Sequence, residues 1–88
     1  MGSTSVDASD CHSEPELKLY SGYASSGQKS LGAAVIFLQK KLEAKGCDIG
    51  VDGLFGPNAE RAVKRYQDDN NLSVDGIVGP ETWGFLCK

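Results

Sequence analysis

Val51-Asp52-Gly53-Leu54-Phe55-Gly56-Pro57 returns 23 residues later as Val74-Asp75-Gly76-Ile77-Val78-Gly79-Pro80, with five positions identical and the other two apolar in both copies. A unit too small to bury its own apolar face buries it against its copy, so the repeat sets the plan of the fold. Asp-Gly marks a turn: the Asp52 and Asp75 carboxylates can accept backbone N–H groups just ahead, and Gly53 and Gly76 supply the positive φ that other residues resist. Two apolar residues then anchor inward. Gly56-Pro57 and Gly79-Pro80 close the units, glycine standing at the N-cap and proline at the first helical position, where a missing N–H costs nothing.

Three helices follow from this grammar. The first is expected from about Leu31 to Lys45, with Leu31, Ala34, Val35, Leu38 and Leu42 on one face, Ser30 as N-cap and Gly46 as a left-handed C-cap. Pro57 opens the second, whose buried face is Ala59, Ala62, Val63 and Tyr66, while Glu60, Arg61, Lys64, Arg65 and Asp68 face water. A short third helix runs from Pro80 to about Leu86, with Trp83 and Leu86 closing the core. The fold class is all-α: a small three-helix bundle with an internal repeat, preceded by an irregular N-terminal arm.

The division expected within the 88 residues is an arm-like or disordered segment over 1–25 and the three-helix domain over 26–88. Residues 1–16 show no periodicity, whereas Leu17, Leu19, Tyr20 and Tyr23 read as an arm lying against the domain, its tyrosines covering the off-stripe Ile36 and Phe37, which are otherwise a contact surface. Met1-Gly2-Ser3 reads as an added start, so a native leader and neighbouring domains are expected to lie beyond this stretch. About 60 residues are near the lower limit at which a core suffices alone, and a covalent staple would help.

The three cysteines, Cys11, Cys47 and Cys87, lack metal-site spacing. One bridge and one thiol is the simplest arithmetic, with Cys11–Cys87 the expected pair and Cys47 left over; three reduced thiols is the alternative. Cys11, His12 and Glu14 have no second cluster to complete a metal site, so neither metal nor cofactor is expected.

Charge excludes one class of partner. The net charge is −3, and residues 26–88 carry eight basic against eight acidic side chains, so no basic face for nucleic acid is offered. No run reaches the length of a membrane span. Asp52 and Asp75 as a glycosidase pair is the less economical reading, since each precedes glycine in a turn, where stabilising that turn accounts for the carboxylate. No serine or cysteine has a histidine placed to activate it, and no catalytic residue is assigned. Gln39 and Gln67 each follow a core leucine or tyrosine, and satisfying the two Asp-Gly turns is their expected task.

Taken together, Val35, Leu38-Gln39, Leu42, Gly46, Asp52-Gly53-Leu54-Phe55-Gly56, Ala62-Val63, Tyr66-Gln67, Leu72, Asp75-Gly76-Ile77-Val78-Gly79, Thr82-Trp83 and Leu86 resemble the peptidoglycan-binding domain, type one. The resemblance spans about 55 residues and implies a three-helix fold with pseudo-twofold symmetry. It implies a non-catalytic, monomeric module, secreted or cell-wall associated in a bacterium. Such a module binds peptidoglycan, by glycan strand or stem peptide, and anchors a covalently attached cell-wall hydrolase domain. The alternatives are a pro-segment, although the cysteine switch of metalloproteinase pro-regions is missing, or a protein-interaction module with the same fold. Ala59 stands where the family usually has threonine, and Cys47 where it is often aromatic. Expected ligand contacts are Asn58, Arg61, Lys64, Tyr66 and Trp83, the last only if part of it is exposed.

Overall fold

The computed structural model describes residues 14–87. Three helices, α1 (Gly32–Ala44), α2 (Pro57–Asp69) and α3 (Pro80–Leu86), follow two short 3-10 turns, Ala24–Ser26 and Lys29–Leu31. No strand occurs among the described residues; one isolated antiparallel bridge joins Leu17 to Val78.

The repeat is a repeat of backbone as well as sequence. Gly56 and Gly79 cap α2 and α3 with φ/ψ of −94/−171° and −100/−167°, each followed by proline at N1. Gly53 and Gly76 take φ of +78° and +75°, the region in which a Cβ is strained. The C-termini of α1 and α2 match as well. Gly46 (φ +97°) and Asn71 (φ +59°) turn the chain left-handed, and the next residue's N–H reaches back, Cys47 to Leu42 and Leu72 to Gln67, at 3.0 and 2.8 Å. These are Schellman closures, and asparagine is the side chain that best replaces glycine there.

Each turn is locked by the glutamine on the helix before it. Gln39 Oε1 accepts from Asp52 and Gly53 N–H at 2.9 Å each, while its Nε2 donates to Asp52 Oδ1 (2.9 Å) and the Leu54 carbonyl (3.2 Å). Gln67 repeats the set on Asp75, Gly76 and Ile77, and its Nε2 also reaches Thr82 Oγ1 at 3.1 Å. Both glutamines are buried, and a buried amide holds its place only when its donors and acceptors are satisfied.

Beneath the turns lies one core. Val35, Leu38 and Leu42 from α1, Val63 from α2, Trp83 and Leu86 from α3, and the anchors Phe55 and Val78 are all at most 1% exposed. Leu17 of the arm, with no exposed surface, joins them.

The arm and the start of α1 differ from expectation in three respects. Its buried residue is Leu17, while Tyr20 is 49% exposed and stands edge-on to Tyr23, so the tyrosines do not form the lid expected over Ile36 and Phe37. A tight turn explains this: Ser21 N–H bonds back to the Lys18 carbonyl, and Tyr20 sits at φ +75°. Phe37 is instead covered by Trp83, stacked at 5.7 Å, with Lys41 Nζ 5.3 Å from its ring centroid; Ile36 remains partly exposed. Second, Pro15, expected in a structureless tail, accepts a 3.0 Å hydrogen bond from Trp83 Nε1. Third, Ser30 does not cap α1. The 3-10 turn feeds directly into the helix through Leu31 N–H to Gln28, leaving Leu31 at the N-cap and Ser30 in the turn.

Candidate ligand groove

Asn58, Arg61, Ala62, Arg65, Tyr66 and Asp69 recur at three- and four-residue spacing and therefore share one face of α2. The loop from Lys45 to Gly50 rises opposite that face, and Phe85 of α3 closes one side. Between them is an open groove of about 970 Å³. Tyr66 is buried, Cys47, Ile49, Ala62 and Phe85 are half-buried, and Lys45, Asp48, Arg61, Arg65 and Asp69 are exposed. An apolar floor thus lies inside a charged rim.

The rim carries three cations against two carboxylates, so it is close to neutral. Arg61 Nη2 donates to Asn58 Oδ1 at 2.6 Å, fixing that amide with its nitrogen free to donate elsewhere. Asn70 Nδ2 donates to the Tyr66 carbonyl at 2.9 Å and ties the end of α2. Burial pushes the Cys47 thiol above its ordinary pKa and Asp69 pushes it further, against a smaller pull from Arg65. Tyr66 is raised by burial, then by Cys47. Both groups are therefore neutral at physiological pH and act as polar parts of the floor.

Of the residues expected to contact ligand, Asn58, Arg61 and Tyr66 come together in this groove. Lys64 does not: its Cε lies over Gly76 on another face of α2. Trp83 does not either, being 1% exposed and engaged with Phe37 and Pro15, so it cannot serve as a stacking platform. Sequence reasoning missed the whole opposite wall, Lys45 to Gly50, together with Arg65, Asp69 and Phe85. The helical spacing of Arg61, Arg65 and Asp69 from Asn58 was available as a signal; the loop's position was not.

Asp52 and Asp75 are turn residues. Each carboxylate accepts from the backbone two residues on, Leu54 and Ile77, at 2.9 Å, as well as from its glutamine. The Gln39 amide foremost, then the Leu54 N–H, hold the Asp52 carboxyl below the usual carboxylate range, the opposite of what a general acid requires. Among the described residues no group of three or more His, Cys, Asp or Glu side chains could hold a metal ion, and no helix is long and apolar enough to cross a membrane. Cys11 and His12 lie outside the described residues.

Residues 32–86 match the family model described as "Putative peptidoglycan binding domain". The chain belongs to that family. This peptidoglycan-binding module is 37% identical over 91 residues to an uncharacterised protein of Kitasatospora aureofaciens, covering 97% of this chain and 76% of that one. It is 40% identical over 72 residues to the zinc D-Ala-D-Ala carboxypeptidase of Streptomyces albus G, covering 78% of this chain but only 28% of the enzyme. A solved peptidoglycan-binding protein from Clostridioides difficile superposes with a TM-score of 0.68 at 31% identity, over 83% of this chain and 40% of that one. The family match begins at α1, so the arm that supplies Leu17 and Tyr23 lies before it.

Proposed function

We propose that the module holds an attached cell-wall hydrolase on peptidoglycan, outside the cell, through the groove between α2 and the 45–50 loop. The observation that carries this reading is the groove itself: an apolar floor with amide, guanidinium and carboxylate groups around a near-neutral rim suits an uncharged glycan bearing short peptides. Asn58, Arg61 and Tyr66 are its ligand contacts, with Arg65 added from the geometry. Support for the attached enzyme comes from the carboxypeptidase relative, of which this chain corresponds to a little over a quarter.

A Cys11–Cys87 bridge belongs to the same proposal, because it suits an oxidising compartment. Cys47 is a free thiol, which fits the arithmetic of one bridge and one thiol.

The test is co-sedimentation of the purified chain with teichoic-acid-free peptidoglycan sacculi, beside cellulose, at low and high salt. Saturable, salt-resistant pelleting with sacculi that weakens in Arg61→Ala is expected. No pelleting, even of a tandem copy whose effective concentration compensates for weak single sites, would reject wall anchoring and favour a pro-segment or protein-interaction role.

A further inference from the structure

The two halves of the repeat differ at one place that opens a space. Thr82, two residues after Pro80, fills the second unit and accepts from Gln67. Its counterpart two residues after Pro57 is Ala59, with no hydroxyl and no γ-carbons. Around Ala59 lies a hollow of about 190 Å³, lined also by Tyr23, Asp52 and Asn58. The roofs over the two Asp-Gly turns are alike, Ile36 Cγ1 standing 3.3 Å from where a Cβ of Gly53 would be and Glu60 Cγ and Lys64 Cε 3.1 Å from that of Gly76, so the difference between the units here is the exchange of threonine for alanine.

Three polar groups in the hollow are available. All hydrogen bonds to the Asp52 carboxylate use Oδ1, leaving Oδ2 without a partner among the described residues. The Asn58 side chain has its oxygen taken by Arg61 and its Nδ2 unused. The Tyr23 hydroxyl lies over Gly56, 2.7 Å from where a Cβ there would stand, and makes no hydrogen bond within the described residues. The hollow shares Ile49, Gly50 and Asn58 with the main groove, so the two adjoin.

We propose that this hollow is a second subsite for a saccharide unit of the polymer held in the main groove, with Tyr23 of the arm as a contact that the family's own segment does not supply. The inference rests on the wall-binding reading above. The donor and acceptor pattern suits that chemistry: one anionic acceptor, one amide donor and one hydroxyl that does both match sugar hydroxyl and acetamido groups. An ammonium group offers donors alone, and it would approach an Asn58 already bound to the Arg61 cation. The volume suits a single small ring.

The experiment is an amide-shift titration of the ¹⁵N-labelled full chain with N-acetylglucosamine tetramer, a peptide-free saccharide, and separately with a free stem tetrapeptide. Sacculi pelleting is measured on the same proteins. The tetramer is expected to shift Tyr23, Gly50, Asp52 and Asn58 saturably. Ala59→Thr, which installs the second unit's own residue, should weaken tetramer binding at least about tenfold, and Tyr23→Phe about three- to tenfold, with the wild-type amide spectrum otherwise kept. Should Ala59→Thr fail to fold, Tyr23→Phe decides. Wild-type affinity in both variants, no shift of the hollow amides with tetramer, or shifts there with the tetrapeptide instead would each overturn the saccharide subsite. Sacculi pelleting by the wild-type chain with a silent tetramer titration would sink the subsite alone; absence of pelleting would sink the wall reading with it.

Discussion

Leu17→Ala tests whether the arm is part of the folded unit. Leu17 has no exposed surface and its side chain joins a core built by α1, α2 and α3. The substitution removes three carbons from that core, about 2.4 kcal/mol at ~0.8 kcal/mol per buried carbon. A cavity that does not collapse adds about another 1 to 2 kcal/mol, giving roughly 3 to 4 in all. A chain of this size holds roughly 4 to 11 kcal/mol of stability over residues 14–87. The variant should therefore lose a third or more of it and melt about 12 to 30 °C lower. Urea unfolding followed by circular dichroism measures the difference, with reductant present so that no bridge contributes. Val74→Ala, at a position 50% exposed, is the control and should fall within about 0.5 kcal/mol of wild type. A Leu17→Ala loss under about 1 kcal/mol, at an unchanged urea slope, would show the arm detached in solution and refute its place in the core.

Gln67→Leu should destabilise by about 3 kcal/mol or more, because the buried Gly76 N–H and the Thr82 hydroxyl lose their partner along with Asp75 and Ile77. Gln39→Leu should cost less, since Ala59 leaves no hydroxyl behind, and equal losses in urea titrations would contradict that ranking. The raised Cys47 pKa means the thiol stays protonated in the folded chain to higher pH than a free cysteine, so its alkylation rate should climb at higher pH than that of the urea-unfolded chain. Coincident pH profiles, read by mass spectrometry, would refute it. Under non-reducing conditions one alkylated thiol is expected, and reduction should cost roughly 2 to 4 kcal/mol if Cys11–Cys87 is the bridge; three reactive thiols from the outset would dismiss the bridge.

What was legible in the sequence is what local chemistry decides. Gly-Pro starts α2 and α3 at Pro57 and Pro80, as expected, because proline at N1 needs no distant partner. The glutamines' task could be read because each sits at the edge of a buried stripe one helix before its turn. Ser30 was misread since capping competed with a 3-10 turn whose geometry depends on the arm. Leu17 finds Val78 and Pro15 finds Trp83 across most of the chain, and no periodicity encodes such pairings. The groove failed to appear in the sequence for the same reason: its second wall is a loop, and loops carry no period.

The arm's long reach has a physical cause in the repeat itself. Phe55 and Val78 are equivalent positions, and each leaves α-helical hydrogen bonding, so each needs an outside partner for N–H and C=O. The arm supplies all four bonds. Leu17 exchanges N–H and carbonyl with Val78 at 3.1 and 2.7 Å, while Tyr20 N–H donates to the Phe55 carbonyl at 2.7 Å and Phe55 N–H to the Ser21 carbonyl at 3.0 Å. One segment, turned between Lys18 and Ser21, thus joins both copies, and a pseudo-symmetric pair acquires a direction. Because the arm passes Val78 first and Phe55 afterwards, Tyr23 is delivered beside the first copy, where Ala59 leaves room. The second copy keeps Thr82, held by Gln67. The repeat builds the fold; the departures from it, Ala59 and the longer loop before Asp52, shape the groove and its hollow beside the first copy.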